Sequence, residues 1–264
     1  MFKKKQKKRS PLESTPLRSP GQSLFEERQV ILYENFLVWS LFIVLLWTFT
    51  LMEVYQWLME LPPKPFIPAA ISSVITVPLI FFKIIPDWKK ARFLKQAIEG
   101  EKFIGQFLEN LRSKGFYVFH DIISEGFNID HVIVGPKGIY TVETKTISKP
   151  KKGKAEILYD GETVTTCGYP PERNPIIQAK AQANWLKEFI QHVTEKSISV
   201  RPVVLYPGWF VSRMTQGAEV WVLNHKAFPA FLDKERKTSL SDVDIKAIKR
   251  LLEEHNRKPV GDKK

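Results

Sequence analysis

The sequence predicts an α/β (α+β) fold, a mixed sheet flanked by helices and preceded by two transmembrane helices. Three observations predict it. Two uncharged apolar stretches lie before residue 86. From about Phe93 the chain turns to an ordinary globular pattern in the order helix, strand, hairpin, helix, strand. Inside that order, two β-branched runs joined by the four-residue turn Gly135-Pro-Lys-Gly138 read as an antiparallel hairpin.

Taken in order, residues 1–29 form a basic tail carrying Lys3, Lys4, Lys5, Lys7, Lys8 and Arg9, broken by Pro11, Pro16 and Pro20, and are expected to be disordered. No cleavable signal is expected, because those prolines separate the basic region from the first apolar run. Residues 30–86 are expected to form a two-helix transmembrane hairpin. Its first span centres on residues 36–52 (FLVWSLFIVLLWTFTLM) and its second on residues 65–82 (PFIPAAISSVITVPLIFF), where Pro68 and Pro78 weaken the helix. A buried core helix or an interfacial segment is the competing reading of each. The ends are basic, with Lys83, Lys89, Lys90, Arg92 and Lys95 after the second span, whereas the connector holds only Glu53, Glu60 and Lys64. Both termini and the globular part are therefore placed in the cytoplasm, and Tyr33, Tyr55, Trp57 and Trp88 fall near the interfaces.

Residues 93–235 are read as the cytoplasmic domain and 236–264 as a C-terminal helix and tail. Phe103, Ile104, Phe107, Leu108 and Leu111 recur at helical spacing over residues 99–113, and Gly115 stands where that helix stops. Residues 116–123 read as a strand, and Ile157-Leu-Tyr and Thr163-Val-Thr as short strands around Asp160-Gly161. Asn174-Pro175 is a strong helix start, running to about His192. On that helix Gln178, Ala181, Gln182, Trp185 and Phe189 share a stripe, so two amides stand among residues expected to be buried. Residues 199–206 and 219–223 read as strands, and 242–254 as an amphipathic helix.

The net charge of +12 divides between the tail, where positive-inside topology and anionic lipid account for it, and Lys145, Lys149, Lys151, Lys152 and Lys154. The latter cluster either favours a polyanionic substrate or is a solvated loop. The lone Cys167 excludes an intramolecular disulfide and suits a reducing cytoplasm, and the five histidines show no ligand spacing in sequence.

The chemistry concentrates on the hairpin. With an even register Ile133 faces Tyr140, Val134 faces Ile139 and Asp130 faces Glu143, so two carboxylates stand side by side on one face. Such a pair is destabilising unless a cation lies between them. Lys145, two residues past Glu143, projects from the same face. A type I turn with a one-residue bulge would instead set Asp130 against Thr144. Two acids, a lysine and an amide suit phosphodiester hydrolysis. Asp130 and Glu143 are the expected ligands of Mg2+ or Mn2+, with the Thr144 carbonyl as a further oxygen, and Lys145 would act on the attacking water and the phosphate charge. Glu101, at the start of the first globular helix, is within reach of the same place through a water.

The pattern from Gly100-Glu101 through Asn128-Ile-Asp-His-Val-Ile-Val-Gly-Pro-Lys-Gly-Ile-Tyr-Thr-Val-Glu-Thr-Lys145 to Asn174-Pro-Ile-Ile-Gln178 resembles the nuclease-related domain (NERD) family over about residues 97–212. That resemblance implies the PD-(D/E)XK superfamily and its restriction-endonuclease-like mixed sheet, with Glu101, Asp130, Glu143, Lys145 and Gln178 as matching site residues. Ile129, not proline, precedes Asp130. The acid pair, Lys145 and the local lysine cluster make a membrane-anchored, Mg2+-dependent nuclease acting on DNA or RNA in the cytoplasm the leading reading. Two readings compete with it: a non-catalytic module binding nucleic acid or protein on the same fold, and a transporter or channel built from the apolar segments. The last is disfavoured because neither uncharged stretch holds an ionisable residue to mark a pathway.

Overall fold

The computed structural model describes residues 15–59, 67–124, 126–171, 173–212, 217–235 and 240–257. Most of the basic tail, and Pro65 and Phe66 of the second apolar stretch, lie outside the described residues. The chain divides into two compact units, Gln22–Glu99 and a second formed by Met1–Gly21 with Gly100–Lys264.

In the first unit, α1 (Gln22–Val30) passes through a π-helical turn, Ile31–Leu37, into α2 (Val38–Leu58). Helix thus begins inside the stretch expected as tail. The returning limb is α3 (Ile67–Leu79), a second π turn, Ile80–Ile84, and α4 (Ile85–Glu109). Pro78 lies inside α3 and offers no N–H to the helical ladder, and the i→i+5 turn follows directly. The limbs run antiparallel: the Thr50 and Ser72 hydroxyls meet at 2.8 Å, and nearer the other end Lys90 Nζ lies 2.7 Å from Glu27 while Arg28 Nε donates to the Ala91 carbonyl. The distribution of polarity is inverted relative to a water-soluble helix pair. Thr50, Ser72 and Thr76 are buried, whereas Leu41, Phe49, Leu51, Val74, Phe81 and Phe82 are exposed.

Among the described residues, one helix, Gln22–Leu58, is long and apolar enough to cross a bilayer. The expected second span is helical but falls short of that measure. Its described part begins at Ile67, and Lys83 closes the uncharged run well before the ~20 residues a bilayer core requires.

The second unit is a mixed α/β domain. Its main sheet has the order β1 (Tyr117–Ile123), β2 (Asn128–Gly135), β3 (Gly138–Thr144), β6 (Val200–Leu205), β8 (Trp221–Leu223). β1, β2 and β3 are antiparallel in succession, and β3, β6 and β8 are parallel. A smaller sheet sets β4 (Glu156–Tyr159) between β5 (Val164–Thr166) and β7 (Phe210–Ser212). The parallel β3–β6 step needs a crossover, and α5 (Pro175–Thr194) supplies it. The Asn174 side chain accepts from the Ile176 amide at 2.9 Å with Pro175 in the first turn, as the dipeptide predicts.

On one face of the sheet Ile133, Tyr140, Val142, Val203 and Leu205 pack against Ile104, Leu108 and Leu111 from the end of α4 and the following 3-10 turn, Asn110–Lys114, and against Phe228 and Leu232 of α6 (Phe228–Lys234). On the other, Val132, Val134 and Ile139 meet Leu186 and Ile190 of α5 and Ile245, Ile248 and Leu252 of α7 (Asp242–Arg257). β3 is buried along its whole length, so anything polar on it must be paired. The expected α5 stripe is offset. Ile176, Ala179, Gln182, Ala183, Leu186 and Ile190 are buried and Ala181 is exposed, because the small alanines let the helix roll closer to the sheet.

Candidate functional site

β2 and β3 pair in the even register, from Gly135↔Gly138 through Ile133↔Tyr140 to His131↔Val142, with Pro136 and Lys137 as the link. The ladder ends there, one step short of Asp130 and Glu143. At that point the Asp130 side chain takes over, its Oδ2 accepting from the Thr144 amide at 2.7 Å. Asp130 is thus tied to the residue between Glu143 and Lys145.

Glu143 is buried and satisfied on both oxygens. Lys145 Nζ donates to Oε1 at 2.6 Å and Gln182 Nε2 to Oε2 at 2.6 Å, and the same Gln182 amide also reaches the Asn128 carbonyl at 3.0 Å. Lys145 Nζ further donates to Gln178 Oε1 at 2.9 Å. The two amides that broke the apolar pattern of α5 therefore meet the acid of β3 and the lysine just beyond it, Gln182 on Glu143 and Gln178 on Lys145. Gln178, the polar residue expected on this helix, contacts Lys145; Gln182 belongs to the same network, and its place amid apolar residues was the signal for it.

Glu101 joins through α4. Gly100 permits the approach: a Cβ there would lie 1.7 Å from Thr146 Oγ1, so only glycine lets the helix backbone pass against the segment following β3. The Glu101 carboxyl is pushed up to about 8 by burial, then by the neighbouring Asp121 and Glu143. Asp130 is likewise held well above the usual carboxylate range, first by desolvation and then by Glu143 and Glu101. The structure thus brings Glu101, Asp130, Glu143, Lys145 and Gln178 into one electrostatic neighbourhood.

Two features are not legible as sequence motifs. Asp121, in β1, sits at φ +52, rare for a non-glycine residue, and its carboxylate is buried beside Glu101. Behind the site, His120 and His131 face each other across β1 and β2 with their Nδ1 atoms 2.9 Å apart. His120 Nε2 lies 2.8 Å from Glu109 Oε1, and His131 Nε2 lies 3.4 Å from Thr144 Oγ1. With Glu109 accepting, His120 Nε2 donates, so His131 Nδ1 donates to His120 and the Thr144 hydroxyl to His131. Burial pushes both imidazoles below their ordinary value.

The donor set fits a hard cation: the buried Glu143 beside it raises the proton affinity of Asp130, and oxygen is the ligand such ions prefer. Among the described residues, no group of three or more His, Cys, Asp or Glu is gathered for a metal ion. Asp130 and Glu143 would be the protein's share of such a site. The lysines of residues 149–154 are exposed on the loop between β3 and β4, anchored by Trp209 Nε1 donating to the Ile147 carbonyl at 3.1 Å.

The chain is 29% identical over 80 residues to an uncharacterised protein of Bacillus anthracis, covering 28% of this chain and 34% of that protein. It therefore spans about a third of that relative's length. No solved structure matches. Residues 96–207, from the Glu101 region of α4 to the end of β6, match the model of the nuclease-related domain (NERD), and this stretch is the nuclease-related domain of the chain.

Proposed function

We propose that this chain is a membrane-anchored, metal-dependent phosphodiesterase acting on DNA or RNA, with a PD-(D/E)XK type of site. One observation carries the reading: Lys145 Nζ bridges Glu143 and Gln178 at 2.6 and 2.9 Å while Asp130 is clamped on the amide between Glu143 and Lys145. A lysine held against a buried carboxylate is positioned to meet phosphate charge or orient a water once the carboxylate is otherwise engaged. Asp130 and Glu143 would hold Mg2+ or Mn2+, which when bound polarises the phosphoryl oxygen and activates water. Gln178 then keeps Lys145 aligned, Gln182 fixes the Glu143 carboxylate, and Glu101 accepts or supplies a proton nearby. The exposed lysines of residues 149–154 would draw the polyanion in.

For the anchor, the reading is an apolar hairpin with both ends and the nuclease-related domain in the cytoplasm. It is supported by the inverted polarity of the two limbs and by basic residues at their shared end. A non-catalytic binding module on the same fold is the second reading, favoured by one fact: both Glu143 oxygens are already bonded to Lys145 and Gln182.

The test is cleavage of single- and double-stranded DNA and RNA by the detergent-solubilised chain under a Mg2+ and Mn2+ titration, beside Lys145→Ala and Asp130→Ala. Metal-dependent cleavage by the parent alone supports the nuclease. Equal cleavage by all three refutes the site, and binding without turnover under any metal selects the second reading.

A further inference from the structure

The parallel strands β3, β6 and β8 end side by side, with Thr144 opposite Leu205 and Leu205 opposite Leu223. At ~4.8 Å between strands, Leu223 stands about 10 Å from Thr144 along that row. Ligands bind outside the carboxyl ends of parallel strands, and there the chain after β6 and the chain after β8 border a cavity of about 570 Å3. We propose that this cavity receives a base of a polynucleotide whose backbone runs on to the acid site, so that the substrate is a single strand rather than a duplex. The inference rests on the nuclease reading given above and names its substrate class.

The walls suit a base. Phe210, 66% exposed, and Phe231 bring aromatic rings to the cavity, and Leu223 and Trp209 add apolar surface. A few polar groups on mostly apolar walls, in a space of several hundred Å3, is the usual make-up of a small-ligand pocket. Trp209 is pinned from two sides: its Nε1 donates to the Ile147 carbonyl at 3.1 Å, and its own carbonyl accepts from Asn224 Nδ2. Asn224 Oδ1 in turn accepts from the Lys226 amide at 3.0 Å. The two loops that form the cavity are thereby locked to one another. An aromatic ring left in water beside a preformed cavity is a stacking platform, and it serves any base because every base has a π-face.

The charge selects an anion. Lys226 lines the cavity, and Lys149 lies against it at Gly208, where a Cβ would stand 3.4 Å from the lysine Nζ. Both lysines are exposed, and among the described residues neither is paired with a carboxylate and no acidic side chain lines the cavity. The loop that carries Lys149 leaves β3 at Lys145, so positive charge continues from the acid site to the cavity. A polyanion bearing flat aromatic groups answers both the rings and the lysines; an uncharged apolar ligand answers only the rings. Bases inside a duplex are stacked and paired, and enter a pocket only when flipped out, whereas a single strand offers them freely.

The experiment measures binding by fluorescence anisotropy to the full detergent-solubilised chain in EDTA, where nothing is cleaved. The probes are an end-labelled oligothymidylate of about ten nucleotides, the same strand made abasic, and its duplex with the complement. The parent is expected to bind the ordinary strand about tenfold more tightly than either of the others. Phe210→Ala should abolish that preference and leave affinity for the abasic strand within about twofold of the parent. Lys226→Ala should weaken both single strands alike and lower the slope of log K against log salt by about 0.7, one phosphate contact. The proposal is overturned if Phe210→Ala binds the ordinary strand as tightly as the parent, if the abasic strand binds as well as the ordinary one, or if the duplex binds no more weakly. Adding Mg2+ or Mn2+ afterwards separates the two readings. Phe210-dependent strand binding without cleavage under either metal supports the cavity and ends the nuclease; cleavage with Phe210-independent binding does the reverse.

Discussion

Replacing Glu101 by glutamine tests whether the acid cluster is held together against its own repulsion. In the folded chain the Glu101 carboxyl is pushed up to about 8, by burial first and then by Asp121 and Glu143, whereas its ordinary value is 4.5. The folded state therefore binds the proton more tightly than the unfolded one. Below pH 4.5 both states are protonated and the group costs nothing. Between 4.5 and about 8 the unfolded carboxyl is ionised while the folded one keeps its proton, so stability falls as pH rises; above about 8 the loss is constant. At ~1.4 kcal/mol per pH unit, that interval corresponds to about 5 kcal/mol. Glutamine is neutral throughout, fills nearly the same space, and its Oε1 still accepts from Gly21. Unfolding of the metal-free chain in detergent, followed by tryptophan fluorescence, should show Glu101→Gln matching the parent near pH 4.5 and exceeding it by several kcal/mol at pH 8.5. On the usual scaling that is a melting-temperature gap of about 10 °C. Parallel pH profiles for the two proteins would refute the reasoning.

Three further outcomes are expected. Gly100→Ala sets a methyl 1.7 Å from Thr146 Oγ1 and should cost about 1–3 kcal/mol in chemical denaturation; an unchanged midpoint would mean that α4 does not pack there. Gln182→Ala removes the amide that satisfies Glu143 Oε2 at 2.6 Å, and should cost about 1–3 kcal/mol, most of it recovered when Glu143→Gln is added. The folded His120 and His131 sit below their ordinary 6.5 because burial opposes their charging, so the stability they carry is complete above that value and is lost as pH falls toward the folded values. 15N spectra at pH 6 should show two neutral rings; an imidazolium signal from either contradicts the tautomers assigned above.

The parts of this molecule legible in sequence are those fixed by neighbours in the chain. Gly135-Pro-Lys-Gly138 marks the hairpin in sequence and narrows its register to two, of which the structure takes the one that sets Ile133 opposite Tyr140. Asn174-Pro175 starts α5 where its capping chemistry says, and Gly115, at φ +83, stops the helical run before β1. The features that escaped depend on residues far apart in the chain. His120 and His131 show no ligand spacing, and only the pairing of β1 with β2 sets them face to face. β7, three residues long, gains its place by pairing with β4 rather than from any alternation of its own. The α5 stripe was misjudged because side-chain size, not hydrophobicity, decides which face of a helix rich in alanine approaches a sheet. Arg18 lies in the basic N-terminal stretch, where nothing local in the sequence marks it as the arginine that pairs with Asp121.

The electrostatics of the site tie these pieces together. Glu101, Asp121, Asp130 and Glu143 converge on one end of the sheet, and among the described residues Arg18 pairs with Asp121 and Lys145 with Glu143. Burial and the neighbouring carboxylates raise Glu101 and Asp130 above their ordinary values, so each holds its proton more tightly than an isolated carboxyl. A divalent cation has the charge to take the place of those two protons. Binding of Mg2+ or Mn2+ must then release protons, and affinity must rise with pH up to about 8, where Glu101 ionises without help. Calorimetric titrations of the full chain in two buffers of different ionisation enthalpy measure that release directly. Proton release that is near zero at pH 6.5, with affinity unchanged from pH 6 to 8, would show that the raised acids and the cation occupy different places, and the metal reading of Asp130 and Glu143 would fall with it.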